Sequence, residues 1–243
     1  MEAKAKDTKG EMGVKYATDY ARCVLAVTAL GRNAADVAGY DLTARLSDVK
    51  YVSAQGVNGA IYALLALDSG DYVSYARPDL LQVVMDAQLS DGGFTYRKGD
   101  PADPDLTAMA IQALAPYLDD SDVETAVWSA LSALAKMQQD DGGFFSWGAS
   151  SSESTAQAII AYQAVAAQPE ENAFNRDPET LPGIFTKNGN TLMDNLLTFQ
   201  LEDGSFRHAK TDETANGYAT EQALRALVAD QCTAFGVTLY GIR

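Results

Sequence analysis

The sequence predicts an all-α fold whose helices alternate between two layers and close into a ring, an α/α barrel of about five to six helix pairs. Two repeats carry that expectation. The segment Gln88-Leu-Ser-Asp91-Gly92-Gly93-Phe94 returns as Gln138-Gln-Asp-Asp141-Gly142-Gly143-Phe144 and as Gln200-Leu-Glu-Asp203-Gly204-Ser205-Phe206, at spacings of 50 and 62 residues. Between the copies, alanines recur at i, i+3 and i+6: Ala60-Ala63-Ala66, Ala110-Ala113, Ala158-Ala161-Ala164 and Ala223-Ala226-Ala229. Such spacing puts small side chains on one helical face, where neighbouring helices approach closely. No segment shows the period-2 alternation of a half-buried strand. A repeat of this length reads as one supersecondary unit that stacks on its neighbours.

Taken in order, the segment 2–9 offers a short outer helix and 15–30 the first inner one. The stretch 41–49 reads as outer. Val57–Leu67 is apolar nearly all round, which marks an inner helix over 56–68 buried on several sides. Asp79–Ala87 is amphipathic and predicts an outer helix over 77–89. Asp103-Pro104 places a cap residue before proline at the first helical position, opening an inner helix over 104–116. Ser121-Asp-Val-Glu124 and Ser150-Ser-Ser-Glu153 read as capping boxes for an outer helix over 121–138 and an inner one over 153–167. An insert around 169–190, rich in Pro, Asn, Glu and Gly, lengthens the second spacing. An outer helix over 190–200 and an inner one over 217–230 finish the chain. Each Asp-Gly pair is expected to supply the left-handed residue of a helix stop. The whole of 1–243 reads as one domain.

Composition narrows the function. The chain carries 33 acidic and 18 basic side chains, a net charge of −15, and the excess lies beyond residue 50. That field repels a phosphate backbone, so no nucleic-acid partner is expected. No apolar run reaches the roughly 20 residues of a membrane-spanning helix. The first residues lack the apolar core of a signal peptide. Cys23 and Cys232 lie on apolar helical patterns with no metal spacing and read as buried free thiols. His208 is the sole histidine. Neither a metal nor a cofactor is expected.

At these residues the sequence resembles the α/α-toroid superfamily of squalene and terpenoid cyclases and protein prenyltransferase β subunits. The Q-x-x-D-G-[GS]-F copies look like the cyclases' QW motif, with Phe in place of Trp. The likeness is strongest to bacterial prenyltransferase/squalene oxidase repeat domains, through Gln55–Leu67, Asp105–Pro116 and Ala219–Leu227. It implies a toroid, and a six-pair ring would need one more inner helix before Met1, so the chain is expected to be shortened there. It also implies a module of a larger secreted or cell-surface protein, and in the superfamily both catalytic and non-catalytic members occur.

The resemblance supplies candidate chemistry. Asp103-Pro104-Asp105-Leu106-Thr107-Ala108-Met109 is close to the class II cyclase pattern D-x-D-D-T-A-M, which puts Asp105 at the proton donor and replaces the last Asp by Leu106. As a structural residue, Asp105 would instead be a first-turn anion favoured by the helix dipole, worth roughly 0.3–1 kcal/mol. The zinc site of prenyltransferases needs a thiolate where Thr107 stands, which excludes it. The copies themselves (Gln88, Asp91, Gly92, Phe94; Gln138, Asp141, Gly142, Phe144; Gln200, Asp203, Gly204, Phe206) are expected to tie helix ends together.

The long loops 90–103, 139–152 and 201–216 would share one end of the ring. They carry Tyr96, Arg97, Phe145, Trp147, Arg207 and His208, and the inner helices begin there with Asp103, Asp105 and Glu153. Aromatic anchors at an acidic rim fit a ligand site. The leading expectation is a non-catalytic binding or scaffold module, similar at fold level to the helical domain of cobalamin carriers. It would take a small hydrophobic ligand or a protein partner at this rim. A terpenoid-cyclase-like enzyme using Asp105 as acid is the alternative.

Overall fold

The computed structural model describes residues 1–12, 15–146, 148–168 and 183–241. They are mostly helical, with loops, one short two-stranded ribbon and isolated bridges between the helices, so the all-α class holds. Contacts gather the chain into two compact units, Met1–Ala87 with Tyr240–Arg243, and Gln88–Leu239.

The first unit holds α1 (Glu2–Asp7), α2 (Ala17–Ala29), α3 (Val49–Ser53), α4 (Val57–Ser69) and α5 (Arg77–Asp86). Helix α4 packs against α2, α3 and α5. Its Ala60, Ala63 and Ala66 are wholly buried, as the alanine repeat requires. Gln55 closes the start of α2, accepting from the Thr18 N–H at 3.0 Å and donating to the Thr18 hydroxyl at 3.2 Å. At the other end Arg77 binds Asp68 at 2.8 Å and the Leu67 carbonyl at 2.9 Å, fixing α5 to α4. The outer helix expected over 41–49 is instead a 3-10 turn, Ala44–Ser47, followed by α3. Asp48 decides this, because its side chain accepts from the Tyr51 N–H and starts a new helix there.

The second unit holds α6 (Pro104–Leu114), α7 (Ser121–Met137), the ribbon β1 (Phe144–Ser146) and β2 (Ala149–Ser151), α8 (Ser152–Ala166), α9 (Leu192–Leu197) and α10 (Gly217–Ala234). Helices α6, α8 and α10 pack side by side in that order, while α7 lies on α6 and α9 on α8. Ala110, Ala158, Ala161, Ala223 and Ala226 are fully buried at these contacts. A ladder of amides crosses the same three helices: Gln112 donates to Gln157 at 2.8 Å, and Gln157 to Gln222 at 2.6 Å.

The repeated turns are built alike. In each copy the Asp side chain accepts from the N–H two residues on: Gly93 at 2.9 Å, Gly143 at 3.1 Å and Ser205 at 3.0 Å. Gln88 donates to the Gly92 and Ala126 carbonyls, and Gln138 to the Gly142 and Phe185 carbonyls, so each joins its turn to a distant segment. The third copy differs, since Gln200 is exposed and its backbone bridges Phe206 instead. Phe94, Phe144 and Phe206 are buried. Gly92 and Gly142 combine positive φ, +90° and +84°, with a backbone carbonyl about where a Cβ would go, so no other residue fits them.

Five local expectations are corrected. Helix α5 ends at Asp86, so the Asp-Gly pairs shape a turn after the helix rather than a helix stop. Asp120, not Ser121, caps α7, and the Oε1 of Glu124 is buried without a partner. Ser151 caps α8 one residue later than expected, which frees Glu153 from a capping role. The ribbon replaces irregular loop because Phe144 and Ser146 bury one face while Phe145 points outward. Cys23 and Cys232 are free thiols, half-buried rather than buried. Most of the insert, 169–182, lies outside the described residues, as does Trp147.

Candidate functional site

The first turns of α6 and α8 and the loop after Phe206 meet at one place. Asp103 caps α6 by accepting from the Leu106 N–H at 2.9 Å, and this fixes Asp105 in the first turn. On α8 the cap Ser151 accepts from the Ser154 N–H at 3.2 Å, which sets Ser152, Glu153 and Ser154 in that helix's first turn. The loop is tied to α8 through the His208 carbonyl, which accepts from the Ser152 N–H at 3.1 Å.

Glu153 holds His208. Its two carboxylate oxygens lie 2.9 and 2.8 Å from the imidazole Nδ1, and the Ser152 hydroxyl donates to Oε2 at 3.0 Å. A carboxylate on Nδ1 fixes the ring and leaves Nε2 as the acceptor of the neutral tautomer. Asp105 has a different environment. Its Oδ1 is shielded from solvent, and the hydroxyl of the wholly buried Ser154 is the side-chain donor to this carboxyl. Burial pushes the Asp105 carboxyl up to about 6. The hydrogen bond from Ser154 and the nearby His208 pull it back, while Asp103 and Glu153 push it further up. Burial likewise raises Asp103, against the backbone N–H groups it accepts from. The helix-end anion expected at Asp105 is therefore dominated by lost hydration rather than by the dipole.

Of the residues expected at the rim, Asp103, Asp105, Glu153 and His208 come together. Tyr96 and Phe145 are largely exposed, at 45% and 58%, and Arg97 is exposed. Arg207 turns away to the Thr198 and Asp212 carbonyls at 3.0 and 3.3 Å. Lys210 binds Asp141 at 2.7 Å. Burial raises the Asp141 carboxyl, but Lys210 and the Gly143 N–H outweigh it and hold the group below the usual range. Among the described residues no group of His, Cys, Asp and Glu is arranged to hold a metal ion.

Three sets of residues are not singled out by sequence reasoning. Ser154 carries no pattern of its own. Thr107 and Thr220 accept from the Phe94 and Phe206 N–H groups, both at 3.0 Å. Each stands four residues after its helix cap, as Thr155 does, and that spacing is visible in the sequence. The amide ladder Gln112-Gln157-Gln222 occupies faces that the alanine pattern marks only as close-packed.

No family model matches this chain, and no curated protein matches it.

Proposed function

We propose that the chain is a non-catalytic binding module of α/α-toroid type, part of a secreted or surface protein, whose ligand or partner is received at Asp105, Glu153 and His208. The observation that carries this reading is the buried carboxyl of Asp105, which faces Asp103 and Glu153 with only the Ser154 hydroxyl and His208 to offset its charge. Burying a carboxyl with so little compensation is costly, and groups shifted in this way concentrate at functional sites. His208, oriented by Glu153 and with 44% of its side chain exposed, offers a fixed polar contact beside Asp105. The rings of Tyr96 and Phe145, on two other loops of the same unit, are exposed and offer apolar surface.

The catalytic alternative, protonation of an alkene by Asp105, rests on the position of Asp105 in the Asp-Pro-Asp-Leu segment. A carboxyl raised to about 6 is a weaker acid than usual, whereas an alkene demands a stronger one. Leu106, where the cyclase pattern has its second Asp, is wholly buried. The glutamine ladder adds polar groups where a hydrocarbon cavity wants none.

Native mass spectrometry of the purified protein, beside an Asp105→Asn/Glu153→Gln variant, tests the reading. A retained molecule or partner should be lost from the variant, and its retention there would move the site elsewhere. Turnover of squalene or a polyprenyl diphosphate by the unaltered protein, abolished in Asp105→Asn, would replace the binder by a cyclase.

A further inference from the structure

We propose that α10 pairs with the α10 of a second copy of this chain, the two helices running antiparallel across a two-fold axis. The repeat identifies the outward face of α10 as one that receives a helix. Counted from the helix caps Asp103, Ser151 and Asn216, the residue eight positions on is Ile111 in α6, Ile159 in α8 and Leu224 in α10. Ile111 and Ile159 are buried, whereas Leu224 is 60% exposed. Four positions further stand Ala115, Gln163 and Val228. Ala115 is buried, Gln163 donates to Asp230 of α10 at 2.7 Å, and Val228 is exposed. The bond from Gln163 marks this as the face that α8 turns to the next helix in the row. On α10 the same face meets solvent.

That face is a regular seam. Gly217, Glu221, Leu224, Val228, Gln231 and Phe235 are all exposed, at successive spacings of 4, 3, 4, 3 and 4, the alternation of a coiled-coil contact. The order is the same from either end, so an antiparallel copy of the seam falls into register with it. Leu224 then lies against Val228 of the second copy and Glu221 against the Gln231 amide. Phe235, 80% exposed, lies against Gly217, where no atom comes within 4 Å of the place of a Cβ and a ring has room. A parallel pair would instead set Glu221 against Glu221, a like-charge contact. The antiparallel contact uses the same patch on both copies and closes at two.

Its strength follows from its size and charge. A helix of 18 residues is about 27 Å long, so one such pair buries less than about 1,200 Å² in total, in the class of weak, reversible associations. Each copy carries a net charge of −15, and the two repel. Salt screens that repulsion and spares the apolar layers, so the dimer tightens as ionic strength rises.

Sedimentation equilibrium of the full chain, from about 5 to about 500 μM and at about 0.05 and about 0.5 M sodium chloride, tests the pairing. The average mass is expected to rise with concentration from 25.9 kDa towards twice that value, with a dissociation constant several-fold lower at the higher salt. Leu224→Glu should weaken association at least tenfold and Phe235→Ala several-fold, with both variants folded by circular dichroism. Gln231→Lys, which places a cation opposite Glu221, should tighten it at low salt. Val73→Glu, a charge at an exposed apolar residue of the first unit, should leave it unaltered. A monomer at every concentration and both salts would overturn the self-pairing and leave the face to a helix of another protein. A dimer that survives Leu224→Glu, or that Val73→Glu weakens equally, would overturn the seam as the interface. Weaker association in Gln231→Lys would overturn the antiparallel register, since only a parallel pair sets that lysine against its own copy.

Discussion

A carboxyl in the first turn of α6 is subject to two opposing effects: the free N–H groups of the helix start favour its anion, and loss of hydration disfavours it. At Asp105 hydration wins, since burial raises the group from 3.8 to about 6. The folded chain then holds a proton between about pH 4 and 6 that the unfolded chain has released. Stability consequently falls as pH rises through that window and levels off above it, at a cost of roughly 3 kcal/mol. Asp105→Asn, which removes the charge and keeps the shape, is expected to raise the melting temperature by several degrees at pH 7 and to leave it unchanged at pH 4. Thermal denaturation at the two pH values checks this. A loss of stability at pH 7 would restore the simple helix-end anion. The sequence places Asp105 on the helix and beside a cap, because both depend on neighbours in the chain. Its buried Oδ1 depends on Ser154 of a different helix, and no spacing encodes that.

At the scale of elements, the repeat works as a clamp between a turn and the helix that follows it. Thr107 reaches back thirteen residues to the Phe94 N–H, and Thr220 fourteen residues to the Phe206 N–H. In the middle copy Phe144 is paired with Ser151 in the ribbon, and Thr155 donates instead to the Ser151 carbonyl and to Asn195. Thr107→Val keeps the volume and leaves the buried Phe94 N–H without an acceptor, so it should cost about 1–3 kcal/mol. Amide exchange at Phe94 should accelerate beyond the global change, and Thr107→Ser should recover most of the protection. Exchange at Phe94 that follows the global unfolding alone would remove the clamp. The Gln, Asp, Gly and Phe of each copy are legible because their spacing is fixed within one turn. The threonines escape that reading because loops of unequal length separate them from the turn. The helices expected to be inner are legible to within a residue or two at their starts, since cap residues and apolar faces coincide there: α4 begins at Val57, α6 at Pro104 and α10 at Gly217. Two elements expected to be outer are less legible, because α3 and α9 are short and their starts are set by Asp48 and Thr191.

For the whole molecule, the sequence reads as one domain and the contacts gather it into two units, a difference that a fragment can resolve. Residues 88–239 contain all three repeated turns, the helices α6, α8 and α10 with α7 and α9 laid on them, and the candidate site. Their buried side chains include Phe94, Leu106, Ile111, Leu131, Phe144, Ile160, Leu196 and Phe199. A domain of about 150 residues buries roughly 68–70% of its unfolded surface, enough for independent folding. In repeat architectures stability is a sum over each unit and its neighbours, and about three consecutive units suffice. The fragment 88–239 is therefore expected to unfold cooperatively on heating, with helical circular dichroism and with protected amides in α8, the helix that touches α6, α9 and α10. A broad, non-cooperative melt with α8 amides exchanging freely would show that residues 1–87 are required for the core of the second unit, and would return the chain to the single closed domain that its repeats suggest.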